Sequence, residues 1–296
     1  MASRDDATDP AGATVAANPI DLHTHSSASD GLLSPGDLVR TAGRRGLSIL
    51  ALTDHDTTDG LAEAGVAAVA VGLELIPGIE LSTQIGPHDV HLLGYFVDRS
   101  DDEFQGRLAV LRDRRLTRAE KIVGRLREIG SPVDLDRVRA IAGVGAVGRP
   151  HIARAMIEAG HAASIADAFD RFLATGRPAY VPRANASPER TIAMLLRAGA
   201  VPVLAHPHST GDIESILRTL APLGLRGIEV FYGEYDAATR LDLLGIAERW
   251  GLIPTGGSDF HGDGFKPGRA LGGPAVPSET VERLRAAAEA PPASRS

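Results

Sequence analysis

The sequence predicts an α/β fold on parallel strands, interrupted by an inserted helical subdomain. Three observations predict it. Short β-like runs end repeatedly in polar residues, and helical segments follow them, the alternation of a parallel α/β fold. Between residues 101 and 183 that alternation stops and the pattern becomes helical throughout. It resumes at Ser187, where the following Pro188 marks a helix start.

In chain order the strand signals fall at residues 20–25, 48–53, 73–79, 90–96, 201–205, 227–231 and 252–255. The helix between the first two, 35–45, carries its start and stop chemistry in the sequence: Ser34 as cap, Pro35 in the first turn and Gly46 past the end. The helical block begins with a long Arg-rich segment to Ile129, followed by helices over 134–142, 149–160 and 164–173. The expected organisation is a discontinuous barrel over 18–100 and 184–290, with a substrate-reading insertion over 101–183. Residues 1–17 and 291–296 are expected to be disordered tails. No internal repeat is visible.

A chain of 296 residues is long enough to bury a substantial core. Its net charge of -7 argues against a general nucleic-acid coat, which needs Lys and Arg in excess over a face, but leaves room for a local basic pocket. With no cysteine, thiolate metal sites and a Cys nucleophile are excluded, so a metal must sit on His and carboxylates. The first nineteen residues lack a basic start and an apolar core, so no signal peptide is expected. The longest apolar run, 66–73, is far short of the roughly 20 residues of a membrane helix. A cytoplasmic protein is expected, with no membrane association and no obligate protein partner.

Ligand-type residues gather at the strand ends. His23 and His25 stand two apart at the end of the first strand, a spacing that puts both imidazoles on one face. Asp54, His55 and Asp56 end the second strand, Glu80 the third, His206 the fifth, and Asp259 and His261 the seventh. In a barrel of parallel strands those ends converge on one mouth. A single strand-end His is more simply a cap or a solvated side chain; five ends together point to a metal or catalytic site.

These residues resemble the polymerase and histidinol phosphatase (PHP) superfamily of metal-dependent phosphoesterases. The matching stretches are DLHTHSSASD (21–30), LTDHDTTDG (52–60), PGIELS (77–82), HLLGY (91–95), LAHP (204–207) and GSDFHG (257–262). The resemblance implies a distorted (β/α)7 barrel and three divalent ions per chain, Mn before Fe or Zn. By similarity His23, His25, Glu80 and Asp259 would hold one ion; Glu80, His91 and His206 a second; Asp30, His55 and His261 a third. Glu80 and Asp259 are thereby expected to be catalytic. Three divalent ions against three carboxylates leave an excess of about +3, which attracts phosphate, and a bridging water is acidified enough to attack it.

Wound at 3.6 residues per turn, the Arg-rich segment gives a stripe of Leu108, Leu111, Ala119, Ile122, Leu126 and Ile129. Arg115 falls at its centre, with Arg112 and Arg118 at the edges. An inward guanidinium needs an anion, and its fork suits phosphate. The alternative is a snorkelling stem or a pair with Asp113 or Glu120. Arg149 opens a helix whose free N–H groups favour an anion. His151 is a candidate proton donor, His208 could reach the mouth, and His88 and His161 read as surface residues. Arg149 and the Arg-rich helix resemble features of the PHP subgroup acting on AMP and 3',5'-nucleotide bisphosphates.

The expected activity is a phosphatase acting on a small nucleotide or 3',5'-nucleotide bisphosphate, with possible 5'-to-3' trimming of short RNA. A cyclic-phosphate phosphodiesterase uses the same chemistry. Readings of other kinds are a regulatory PHP module without turnover, against which every ligand position is filled, and an amide or lactone hydrolase, to be told apart by substrate profiling.

Overall fold

A computed structural model describes residues 20–86, 88–143, 145–182 and 187–290. The two expected tails, and the boundary expected between 183 and 184, lie outside the described residues.

Among the described residues seven strands form one sheet in sequence order: β1 Ile20–Thr24, β2 Ile49–Leu52, β3 Glu74–Ile85, β4 His88–Tyr95, β5 Val201–Leu204, β6 Gly227–Tyr232 and β7 Ile253–Gly257. The sheet curls until β7 meets β1. Phe260 bridges Thr24, and Asp259 N–H donates to His23 O at 2.8 Å. A side chain on Gly257 would fall 2.3 Å from the His23 nitrogen, so the seam closes only over glycine. The architecture is a distorted (β/α)7 barrel, as expected.

One expectation fails: the sheet is not all parallel. β4 runs antiparallel to both β3 and β5. Only residues 86 and 87 separate β3 from β4, and Gly86 sits at φ 57. A parallel return needs a dozen or more residues, so two can make only a hairpin. β3 accordingly extends to Ile85, six residues past its expected end, and Glu80 lies within a strand instead of at its terminus. The reversal also explains His91: near the start of an inverted strand, it reaches the mouth where its neighbours end.

Helices α1 Pro35–Arg44, α2 Leu61–Val71, α7 Pro188–Arg197, α8 Ile213–Leu220 and α9 Ala237–Trp250 pack outside the barrel, and α10 Ser278–Glu289 follows β7. As read from sequence, Ser34 Oγ accepts from Asp37 N–H at 3.1 Å, and Gly46 takes φ 78 after α1. Alternate strand positions feed two apolar layers. Leu50, Leu52, Leu81, Leu92, Ile228 and Val230 meet the outer helices, while Leu22, Ala51, Ile76, Leu93, Tyr95 and Val203 pack with Val281 and Leu284 of α10.

Between β4 and β5 lie α3 Asp102–Glu128, α4 Leu135–Ala142, α5 Arg149–Glu158 and α6 Ile165–Ala168, which runs into a π-helical turn, Phe169–Leu173. The 27-residue α3 is about 40 Å long at 1.5 Å per residue. It straddles two cores: Phe104 and Leu108 join the barrel layer, whereas Ala119, Ile122, Val123 and Leu126 join a separate cluster with α4, α5 and α6. The predicted stripe holds except at its end, where Ile129 is 42% exposed and Val123 takes the buried place. Among the described residues no helix is long and apolar enough to cross a membrane.

Candidate metal centre

The barrel brings together all nine side chains expected at the mouth. Glu80 of β3 is central, and its two oxygens face different groups. Oε2 lies 3.5 Å from His23 Nε2, 3.3 Å from His25 Nε2 and 3.0 Å from His55 Nδ1. Oε1 lies 2.7 Å from His91 Nδ1 and 3.0 Å from His206 Nε2. Asp259 Oδ1 stands 3.5, 3.2 and 3.4 Å from His23 Nε2, His25 Nε2 and His261 Nδ1. Asp30 closes the ring, with Oδ1 3.3 Å from His261 Nε2 and Oδ2 3.8 Å from His55 Nε2.

This donor set fits divalent ions. Two ligands about 2.1 Å from one ion stand roughly 3.0–3.4 Å apart along the edge of its polyhedron, close to most of these separations. His23 Nε2, His55 Nδ1 and both ring nitrogens of His25 are buried without a well-directed hydrogen bond. Buried polar atoms are rarely left so, and a cation would satisfy those that face the carboxylates. Among the described residues three overlapping sets could each hold an ion: His25, Asp30, His55 and His261; His23, His25 and Glu80; His55, Glu80 and His91.

The electrostatics agree. Burial works against charge on Glu80, yet His55, His91 and His23 hold its carboxyl well below the usual range. Asp259 is likewise held down against burial, chiefly by Arg269. The reciprocal effect raises His25 to about 9: burial would lower it, but Asp259 and Glu80 outweigh burial. Protons and cations therefore compete for the same nitrogens.

Several residues that support the centre were missed by the sequence reading. Glu229 of β6, fully buried, lies 3.0 Å from His23 Nδ1 through Oε1, while its Oε2 accepts His206 N–H at 2.7 Å. A carboxylate on the far ring nitrogen fixes the tautomer and leaves Nε2 for an ion. Asp259 Oδ2 accepts from Tyr232 OH at 2.8 Å and pairs with Arg269 at 2.6 Å, leaving Oδ1 toward the imidazoles. Asp21 accepts from Ser258 N–H and Gly272 N–H at 2.9 and 2.8 Å, fastening the loop that carries Asp259. His206, Asp259 and Asp56 all take positive φ, at 26, 53 and 54. Left-handed backbone at non-glycine residues costs on the order of 1–3 kcal/mol each and gathers at functional sites.

Above this floor opens a cavity of about 620 Å3, walled on one side by the insertion and on the other by the loops after β5, β6 and β7. Arg115, Arg118 and Arg149 line it. Arg115 is buried as its place in the stripe requires, but the anion answering it is Asp56, which accepts from Nε. Its second nitrogen, Nη2, reaches Ser82 Oγ at 3.3 Å. Neither Asp113 nor Glu120 is the partner; Asp56 is remote in sequence. Arg118 donates to Val181 O at 2.7 Å and lies over the Tyr180 ring. Arg149 donates to Leu173 O at 3.2 Å, lies over the Phe169 and Tyr180 rings, and stands 3.6 Å from Asp89.

Two expectations need correction. Arg112 does not line the cavity; three residues before Arg115, it is rotated round the helix toward Asp59, 3.9 Å away. His151 is buried outside the cavity, where its Nδ1 accepts the Gly148 N–H at 2.9 Å and caps α5. Burial pushes it down to about 4, which favours the neutral ring over the imidazolium that a general acid needs. His208 does reach the mouth. His161, as expected, lies outside the cavity, with Nε2 3.0 Å from Pro132 O.

Comparison with known proteins agrees with this geometry. Residues 21–131 match the PHP domain family model. A 3',5'-nucleoside bisphosphate phosphatase of Chromobacterium violaceum is 35% identical over 258 residues, covering 86% of this chain and 90% of that protein. The 5'-3' exoribonuclease Rnm of Escherichia coli is 36% identical over 247 residues, covering 81% and 84%. The crystal structure of a protein of Bifidobacterium adolescentis described as a metal-dependent phosphoesterase superposes with a TM-score of 0.84 at 34% identity, covering 92% of this chain and 96% of that one.

Proposed function

The chain belongs to the PHP family of metal-dependent phosphoesterases and is a phosphoester hydrolase, and on that premise we propose that it cleaves the 3' phosphoester of nucleotides carrying a 5'-phosphate. Nucleoside 3',5'-bisphosphates and short 5'-phosphorylated RNA both meet that description. The observation carrying this reading is the pair Arg118 and Arg149 on the insertion wall, above the His and carboxylate floor. Backbone carbonyls and aromatic rings orient both guanidiniums, and Arg149 also stands 3.6 Å from Asp89, so the two forks are held in place at the cavity wall. Beside them Ile122, Ile165 and Phe169 give an apolar surface suited to a nucleoside.

Three divalent ions, Mn favoured, would be held by His23, His25, Glu80 and Asp259; by Glu80, His91 and His206; and by Asp30, His55 and His261, with Glu80 and Asp259 in catalytic positions. When bound, such ions acidify water and neutralise charge on phosphoryl oxygens. The chain's own residues do the rest. Arg118 and Arg149 hold the 5'-phosphate, which fixes the distance to the 3' ester. Glu229 orients His23, and Arg269 with Tyr232 orients Asp259. Water adds to phosphorus, the P–O3' bond breaks and O3' takes up a proton. A bisphosphate yields a 5'-nucleotide and phosphate; RNA yields a 5'-nucleotide and a chain bearing a new 5'-phosphate. One pose thus covers the activities in both relatives' names.

The test is a panel of AMP, 3',5'-bisphosphates, cyclic phosphates and 5'-phosphorylated or 5'-hydroxyl RNA, assayed with metal-loaded protein. Highest kcat/KM is expected for substrates bearing both a 5'-phosphate and a 3' ester. Equal turnover of 5'-hydroxyl and 5'-phosphate substrates would overturn the reading.

A further inference from the structure

The insertion wall accounts for the nucleotide on one side of the scissile phosphate. The barrel wall, built from the loops after β5 and β6, carries a different surface. Tyr235 and His208 both line the cavity there, and their rings meet edge to face at 5.2 Å between centroids. Tyr235 in turn packs on Tyr232 at 4.9 Å, and Tyr232 on His206 at 5.9 Å. An aromatic ladder therefore runs from the metal centre to the rim. The Tyr235 hydroxyl accepts the His208 backbone N–H at 3.0 Å, which fixes the ring and occupies its polar end. What remains toward the cavity is ring surface, half-buried at Tyr235 and exposed at His208. No step of the proposed cleavage uses it.

We propose that Tyr235 and His208 form a stacking platform for the base of the nucleotide on the 3' side of the scissile phosphate, the one joined to phosphorus through O5'. This rests on the phosphoesterase reading above and extends it to the substrate class: an RNA end is gripped on both sides of the cut, a bisphosphate on one. The geometry follows from the pose. With the 5'-phosphate on the insertion wall and phosphorus over the floor, the next nucleotide leaves the centre along the barrel wall, where the ladder lies. Stacking accepts any base, because every base offers a π face. The platform therefore adds affinity without sequence preference.

The experiment compares two 5'-phosphorylated dinucleotides, one complete and one abasic at its second residue, with 3',5'-bisphosphate as reference. In the wild-type protein the complete dinucleotide is expected to have roughly tenfold higher kcat/KM than the abasic one, the scale of one base-aromatic stack. Y235L and H208A should bring that ratio toward one, and Y235F, which keeps the ring, should retain it. A purely structural effect would lower both dinucleotides alike and leave the ratio standing. A wild-type ratio near one, or a ratio that survives in Y235L and H208A, overturns the platform. Failure to cleave the bisphosphate and both dinucleotides would instead overturn the proposed 3'-ester cleavage on which it rests.

Discussion

Glu229→Gln is the most informative perturbation of the metal centre, because it changes a side chain that touches no proposed ion. The residue is fully buried and serves two groups at once, His23 Nδ1 at 3.0 Å and the His206 N–H at 2.7 Å. Glutamine keeps the shape but exchanges one acceptor oxygen for an NH2 group. One of the two N–H groups then faces a donor. If it is His206, a backbone already held at φ 26 loses its tie; if it is His23, the ring loses the contact that fixes its tautomer. Loss of such an outer contact weakens metal affinity about 10- to 100-fold, equivalent to roughly 1.4–2.7 kcal/mol. A second effect opposes it, since Glu229 also raises the proton affinity of His23 against burial, so its removal eases proton competition. Chelator competition at pH 7 and 9 separates the two, because proton competition shrinks as pH rises. The variant should therefore be the more impaired, relative to wild type, at pH 9. Wild-type affinity at pH 9 would refute the orienting role.

Arg115→Ala should destabilise the fold by about 3–5 kcal/mol, because it leaves the buried Asp56 carboxylate without its cation. Urea unfolding measures this, and the double variant with Asp56→Asn should lose less than the sum of the singles. Arg149→Ala should raise KM for a bisphosphate about tenfold or more while metal content by elemental analysis stays at the wild-type level, as expected for loss of a charge-assisted contact; loss of metal instead would place Arg149 in support of the centre. Metal affinity should rise with pH. A protonated imidazole cannot ligate, and with His25 raised to about 9, uptake near pH 7 expels its proton, giving up to about a tenfold gain per pH unit for each proton displaced, until pH 9 is passed. A pH-independent affinity between 6 and 8 would contradict the coupling.

Much of the floor was legible because it obeys local rules. Strand ends and H-x-H spacing are properties of short stretches, whereas Asp30 and His91 entered only through the family resemblance; the structure brings all of them within a few ångströms of one another. Arg115 was placed inward by helical phase alone, but its partner Asp56 lies 59 positions away, a distance over which periodicity carries no information. Glu229 left a signal that went unread: a charged residue inside the apolar run GIEVFY is costly to bury unless paired. Arg269 and Tyr232 left none, since their role exists only once the loop after β7 folds over β6. The reversal of β4 was readable in the short connection at Gly86, which leaves no room for a crossover helix. His151 was misjudged because the third position of a helix was read for chemistry and not for capping, although its ring reaches back to Gly148.

The central claim is that nine side chains, Glu80 at their centre, hold the divalent ions on which phosphoester hydrolysis depends. Glu80→Gln tests it most directly, because both oxygens of this one residue face imidazoles of different ion sets. Metal per chain and phosphate release from a 3',5'-bisphosphate should be measured on the same preparation. The account predicts reduced metal content and no detectable turnover in a folded protein. Full metal content with wild-type phosphate release would contradict it.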